Sequence, residues 1–295
     1  MRKLLSKFPK WLVFSLAGLM GAGVLSASYE VVVRLFFLEN EAASFAGRIL
    51  GTGVWFSFPV TGVIILIFIC QQALLGNENA FSILGKPLLS GLALGFISGA
   101  VAEFLFQFAQ VAIARGSRGG GAELLIESVR VLAWSIAGGG LGLTLSRSVP
   151  NLAPVRACIF GFAGGFIGAI GFLAVSYVAG DVSGRIVGTG TIGFFVGLSV
   201  VIAEATATEG FLRVIWGPGE FTRVNLGPRP ITVGSSSEST VRMPPSAGYP
   251  PIVATFSLQN GRATMVNHMS RTTHSLRSGN KLTLGRVVIE VHLFS

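Results

Sequence analysis

Apolar residues gather into long uninterrupted runs over the first two-thirds of the chain and into short, polar-interrupted runs after that. A spanning helix needs about 20 mostly apolar residues. Six runs qualify: Trp11 to Phe37, Ile49 to Leu75, Pro87 to Ala114, Leu124 to Leu145, Val155 to Ala179 and Ile186 to Ala205. The fourth is the poorest, with a clean stretch only from Val131 to Leu145 after Glu123, Glu127 and Arg130. Past Glu209 the runs shorten to "FLRVIW", "RPITVG", "IVATFSL", "RATMVN", "KLTLG" and "RVVIEVHLF", separated by turn chemistry such as "GPGE", "QNG" and "RSGN". The pattern predicts a polytopic α-helical membrane bundle over residues 1–206, a short linker at 207–210 and an all-β sandwich over 211–295.

The first run begins with a basic segment and contains a small-residue "SAS", which has the form of a secretory signal. Its apolar character continues to Phe37, so the reading keeps it as a helix of the mature protein. Arg2, Lys3, Lys7 and Lys10 precede it and place the N-terminus on the cytoplasmic side. Glu39 and Glu41 suit an outer first loop, and Lys86, Arg147 and Arg156 suit inner loops. Arg115, Arg118 and Arg130 fall on the outer side and run against the rule. Six spans return the C-terminal domain to the cytoplasm.

The runs also repeat. "AGRILGTGVWFSF" (Ala46 to Phe58) matches "SGRIVGTGTIGFF" (Ser183 to Phe195) without a gap at G-R-I-x-G-T-G and at the final Phe. "SVRVLAWSIAGGG" is a weaker third copy, with Arg130 in the slot of Arg48 and Arg185. The preceding runs align "SASYE", "GAVAE" and "GAIGF", which puts Glu30, Glu103 and Phe172 in one slot. The expectation is three helical hairpins related by an axis along the membrane normal. Glycines spaced by four, as at Gly91, Gly95 and Gly99, or Gly161 and Gly165, predict close helix contacts and a tight bundle.

Composition agrees with a lipid-facing surface: 51% hydrophobic and only 12% charged. The net charge of +9 lies beside apolar runs, which points to positive-inside flanks and anionic headgroups and not to nucleic acid. Cys70 and Cys158 both sit inside apolar runs and read as small buried hydrophobes.

Charge at membrane depth is costly, so Glu30, Glu103, Arg48, Arg130 and Arg185 are the candidate intramembrane residues. Glu30 has Arg34 four positions on, and Glu103 has no such neighbour and is expected to pair with one of the three repeat arginines. Gly188, Gly190 and Gly193 fit GxGxxG inside an apolar helix, where packing explains them better than a dinucleotide. His268, His274 and His292 lie in the β region without metal-ligand company. Nothing in the chain has the form of a nucleophile–base pair or metal motif. The expectation is a protein that is not an enzyme and uses no metal or cofactor.

The order of pieces after Phe211 resembles a forkhead-associated (FHA) domain. "GPGEFTRVNLGPRPITVGSSSESTVRMP" is similar to that family's opening, "VATFSLQNGRATMVN" to its central hairpin, and "HSLRSGNKLTLGRVVIEV" to its closing turn and last strand. The resemblance implies a phosphothreonine-peptide binder. Its binding residues carry over poorly. Ser235, after Gly234, stands where the family has Arg, and Pro250 and Pro251 stand at or beside its Ser-Arg. The family's Asn-Gly is absent from "NHMSRTTHS". Ser235, Arg242, Arg271 and Arg277 are the remaining peptide-binding candidates.

Two functions follow as expectations. The first is a membrane-anchored adaptor or signalling protein that docks a cytoplasmic protein partner through its FHA-like domain. The alternative is a small transporter or channel subunit with a regulatory β domain. A homo-oligomer is open under either.

Overall fold

The computed structural model describes residues 1–36, 44–77, 80–116, 121–206, 209–259, 261–285 and 287–294. A one-turn helix α1 (Arg2–Leu5) precedes six long helices: α2 (Lys10–Phe36), α3 (Phe45–Leu74), α4 (Gly85–Gly116), α5 (Gly121–Leu145), α6 (Pro154–Ala179) and α7 (Asp181–Thr206). All six are long and apolar enough to cross a membrane, the mark of an integral membrane protein. Their ends follow local chemistry. The Ser44 hydroxyl accepts the Gly47 N–H to cap α3, and Pro154 occupies the first turn of α6, where its missing N–H costs nothing. Gly180 alone joins α6 to α7, with a φ of 76° that a side chain disfavours. Glu39, Glu41 and Arg118 lie outside the described residues, as do the side chains of Arg34, Arg115 and Glu123.

Each long helix packs on its neighbours in sequence and α7 returns to α2, so the six close into a ring. The helices α3, α5 and α7 also meet one another, which puts them on the inside. Glycines set the approach, as their spacing predicts. A Cβ at Gly62 would fall on the Gly21 carbonyl between α2 and α3, and one at Gly193 on the Gly18 carbonyl between α7 and α2. Gly91, Gly95 and Gly99 of α4 sit against Thr61, Ser57 and Phe56 of α3. Gly138 and Gly142 of α5 face Gly161, Gly165 and Ala157 of α6. With no hydrophobic force between helices in lipid, such backbone contact supplies the cohesion. Between α4 and α5 a Cβ at Gly140 would meet Leu94, and among the described residues this seam is the least extensive of the six.

The chain after α7 forms two sheets packed face to face. One has strand order β2-β1-β9-β8 and the other β4-β3-β5-β6-β7. The strands are β1 (Gly210–Gly217), β2 (Glu220–Leu226), β3 (Ile231–Gly234), β4 (Val241–Arg242), β5 (Ala254–Gln259), β6 (Arg262–Asn267), β7 (Thr272–Leu276), β8 (Lys281–Leu284) and β9 (Val287–Leu293). All pairings are antiparallel except β3 with β4. Alternate residues point inward: Leu212 and Val214, Ile231 and Val233, Ala254, Phe256 and Leu258, Ile289 and Val291. Leu75, at the end of α3, belongs to the same buried cluster.

The sandwich meets the helix bundle along its β2 and β4 edge strands. The Thr222 hydroxyl donates to the Leu74 carbonyl at 2.7 Å, and the Arg242 N–H donates to the Leu75 carbonyl at 2.9 Å. Arg242 Nη1 adds a 2.8 Å bond to Asn77 Oδ1. Asn225 Nδ2 donates to the Glu204 carbonyl near the end of α7 at 3.1 Å. Asn151, after α5, donates to the carbonyls of Asn225 and Arg229 and accepts the Arg229 N–H. The last carbonyls of a helix lack intrahelical partners. The sandwich supplies them for α3 and α7 and holds the turn after α5.

Candidate functional site

The ends of the inner helices away from the sandwich surround a cavity of about 480 Å³. It is lined by Tyr29 and Glu30 of α2, Thr52, Trp55 and Phe56 of α3, Glu103 and Phe106 of α4, Arg130 and Trp134 of α5, Phe172 and Ser176 of α6, and Arg185 of α7. Four of the five charged residues expected at membrane depth thus converge. Arg48 does not; it is exposed in the first turn of α3.

Glu103 takes partners other than those the sequence suggests, and the expected Glu30–Arg34 pair falls on a side chain outside the described residues. Glu30 pairs with Arg185 across the α2–α7 contact, with Nε to Oε1 at 3.0 Å and Nη2 to Oε2 at 3.3 Å. Arg130 pairs with Glu127 one turn back at 3.1 Å and lies 5.1 Å over the Phe106 ring. Glu103 pairs with none of the repeat arginines. Its Oε2 accepts the Thr52 hydroxyl at 3.2 Å and its Oε1 accepts Gln107 Nε2 at 2.8 Å. Both donors are neutral. Gln107 is buried at i+4 on the same helix. That spacing is legible in the sequence, although a search for charged partners passes over it.

Aromatic rings complete the wall. Trp134 packs edge-on against Phe56 at 4.6 Å and against Trp55 at 6.3 Å, and its ring centre lies 5.3 Å from that of Phe172. Glu30, Glu103 and Phe172, which the sequence alignment of the runs sets side by side, all line this cavity.

The peptide-binding candidates of the β domain do not converge. Ser235 sits in the β3–β4 loop, where its N–H donates to the Pro250 carbonyl at 3.1 Å and its hydroxyl to the Tyr249 carbonyl at 2.8 Å. A Cβ at Gly234 would strike the Pro251 carbonyl, so the Pro250–Pro251 segment lies directly on this loop. Arg271 is exposed in the β6–β7 turn at the same end of the sandwich, with φ 57°. Arg277 follows β7 at the opposite end, where its N–H is held by Asn280. Arg242 is turned to Asn77 and the end of α3. In the sequence that arginine reads as a loop cation, because nothing in the chain announces that β4 lies against a helix end.

No family model, curated protein or solved structure matches the chain.

Proposed function

We propose that the protein is a membrane-anchored adaptor whose C-terminal sandwich has the FHA fold and docks a protein partner. The observation that carries this reading is the way the sandwich is mounted. Its β2–β4 side is fixed to the bundle, while the five-stranded sheet ends in an edge strand, β7, exposed from Thr272 to Ser275. An exposed edge strand and the loops beside it are sites where a peptide or strand can add. The termini are assigned to the cytoplasm by the basic N-terminal segment. The three hairpins are read as repeats, supported by the mutual contact of α3, α5 and α7 and by Glu30, Glu103 and Phe172 at one cavity.

Docking is independent of phosphate in this reading. Recognition of phosphate rests largely on Arg contacts. The Arg position is Ser235, whose hydroxyl already donates to Tyr249, and Arg242 is turned away. The test uses the full chain in nanodiscs, because Leu75, directly after α3, is part of the sandwich core. A photo-crosslinker at Arg271 or Thr273 should capture one defined cytoplasmic protein, and one at the exposed Ile159 of α6 should not. Equal labelling from both places would sink the adaptor reading. A phosphothreonine peptide library that binds in a phosphate-dependent way, and loses binding on mutation of Ser235, would restore the family's usual mode.

The cavity favours a second reading, a transporter or channel subunit with the sandwich as a fixed regulatory cap. Solute or ion flux through the purified protein in liposomes, abolished by substitution at the cavity, would establish it.

A further inference from the structure

We propose that the cavity binds an alkylated ammonium cation, with the Glu103 carboxylate as counter-ion and the aromatic rings as its walls. This requires binding alone and rests on neither docking nor transport.

Charge balance comes first. Among the described residues, two acidic and two basic side chains line the cavity: Glu30, Glu103, Arg130 and Arg185. Each arginine has its own acid, Glu127 for Arg130 and Glu30 for Arg185. Among the described residues, no cation forms an ion pair with Glu103. A carboxylate at membrane depth held, among the described residues, by a threonine and a glutamine calls for a compensating positive charge.

The walls select the kind of cation. Tyr29, Trp55, Phe56, Phe106, Trp134 and Phe172 surround the space. Aromatic faces attract an ammonium group through the ring quadrupole, most strongly where water is excluded, and a cage of rings with a nearby acid is how quaternary ammonium groups are recognised. A hard metal ion would instead need several oxygen ligands. No cluster of three or more His, Cys, Asp or Glu side chains suited to a metal occurs among the described residues. An anion finds both cavity arginines already engaged. The volume of about 480 Å³ suits a small molecule and exceeds what a single bare ion would need.

An alkylated ammonium can arrive free in water or as the headgroup of a phospholipid, and the sparse seam between α4 and α5, flanked by Phe106 and Arg130, borders the same cavity. Choline and its neutral isostere 3,3-dimethyl-1-butanol separate charge from shape. In maltoside detergent the purified full chain should bind choline at least about tenfold more tightly than the isostere. Glu103→Gln keeps a partner for Thr52 and for Gln107, and should lower choline affinity by about tenfold without moving the thermal midpoint. Trp55→Leu should weaken choline as well, and serves if the first variant does not fold. Repeating the titration in nanodiscs assigns the source. Choline binding blocked in phosphatidylcholine but not in phosphatidylglycerol means a headgroup ligand, and equal binding in both means a free cation. Equal affinity for choline and the isostere, no binding of either, undiminished choline binding after Glu103→Gln, or displacement by inorganic phosphate would each overturn the proposal.

Discussion

The two ends of the inner helices use polar groups in opposite ways. At the sandwich end, Thr222, Arg242, Asn225 and Asn151 all satisfy backbone carbonyls or N–H groups at helix ends, turns and strands. Buried backbone groups left without partners are costly, so the side chains of Thr222, Asn225 and Asn151 and the backbone N–H of Arg242 act on stability. At the cavity end, two acid–base pairs close on themselves and one carboxylate has, among the described residues, neutral donors. A single protein thus keeps a mechanical joint at one end and a chemically unfinished site at the other.

The comparison breaks most readily at the joint. Gly76 follows α3 with φ 87°, and a Cβ there would lie 2.5 Å from the Arg242 carbonyl oxygen and 2.9 Å from the Trp216 ring. Gly76→Val should destabilise the docked sandwich by about 3 kcal/mol through backbone strain and overpacking. Limited proteolysis of the full chain in nanodiscs should then cut the sandwich while the helices stay protected. Asn225→Ala leaves the Glu204 carbonyl without its side-chain donor and should cost about 1–3 kcal/mol. Hydrogen exchange at the end of α7 reads that loss, and unchanged protection there would mean that the sandwich does not cap the helix.

Much of this architecture is legible in the sequence because the bilayer imposes it. Length and apolarity alone mark all six spans, and spacing by four marks the glycine contacts at Gly91, Gly95 and Gly99. Pairing between distant helices is not legible. Glu30 to Arg185 depends on α7 closing the ring onto α2, a fact that no local pattern carries, so Arg34 is the nearer choice along the chain. The joint is hidden for the same reason. Leu75 ends a run that reads as membrane span, yet it belongs to the sandwich core, and Asn151 reads as an ordinary turn residue until Arg229 lies beside it. In the cavity, Glu30 and Glu103 stand out in the sequence as charges inside apolar runs, but nothing local marks Trp55 and Trp134 as neighbours of one cavity.

Smaller effects sharpen the contrast at the cavity. Glu30→Gln strands a partly exposed Arg185 and should cost about 1 kcal/mol of stability, discounted for its access to solvent. Glu103→Gln keeps its hydrogen-bonded neighbours and should stay within about 0.5 kcal/mol of the parent. Unfolding of both variants in the same detergent measures the difference. A larger loss for Glu103 than for Glu30 would make Glu103 a structural residue and remove the distinction between the two ends.

The smallest effect lies in the sandwich, on the sheet face away from its core. Glu290 of β9 accepts from Lys281 at 2.8 Å and faces Arg213 at 3.4 Å and His292 at 3.7 Å. The hydrogen bond from Lys281 is the main cause that holds its carboxyl below the ordinary range; the charges of Lys281 and Arg213 and the contact with His292 act the same way, and burial opposes them. The unfolded chain therefore takes up this proton at higher pH than the folded one. Its stabilising contribution is complete above the ordinary carboxylate pKa and is lost as pH falls through the lower folded value. Glu290→Gln should flatten the acid limb of the sandwich's unfolding curve and leave neutral-pH behaviour nearly unchanged. Lys281 and Arg213 are substantially exposed, so added salt should shrink the difference between parent and variant. Acid limbs that coincide at low salt would show that these contacts of Glu290 contribute nothing to holding the sandwich together.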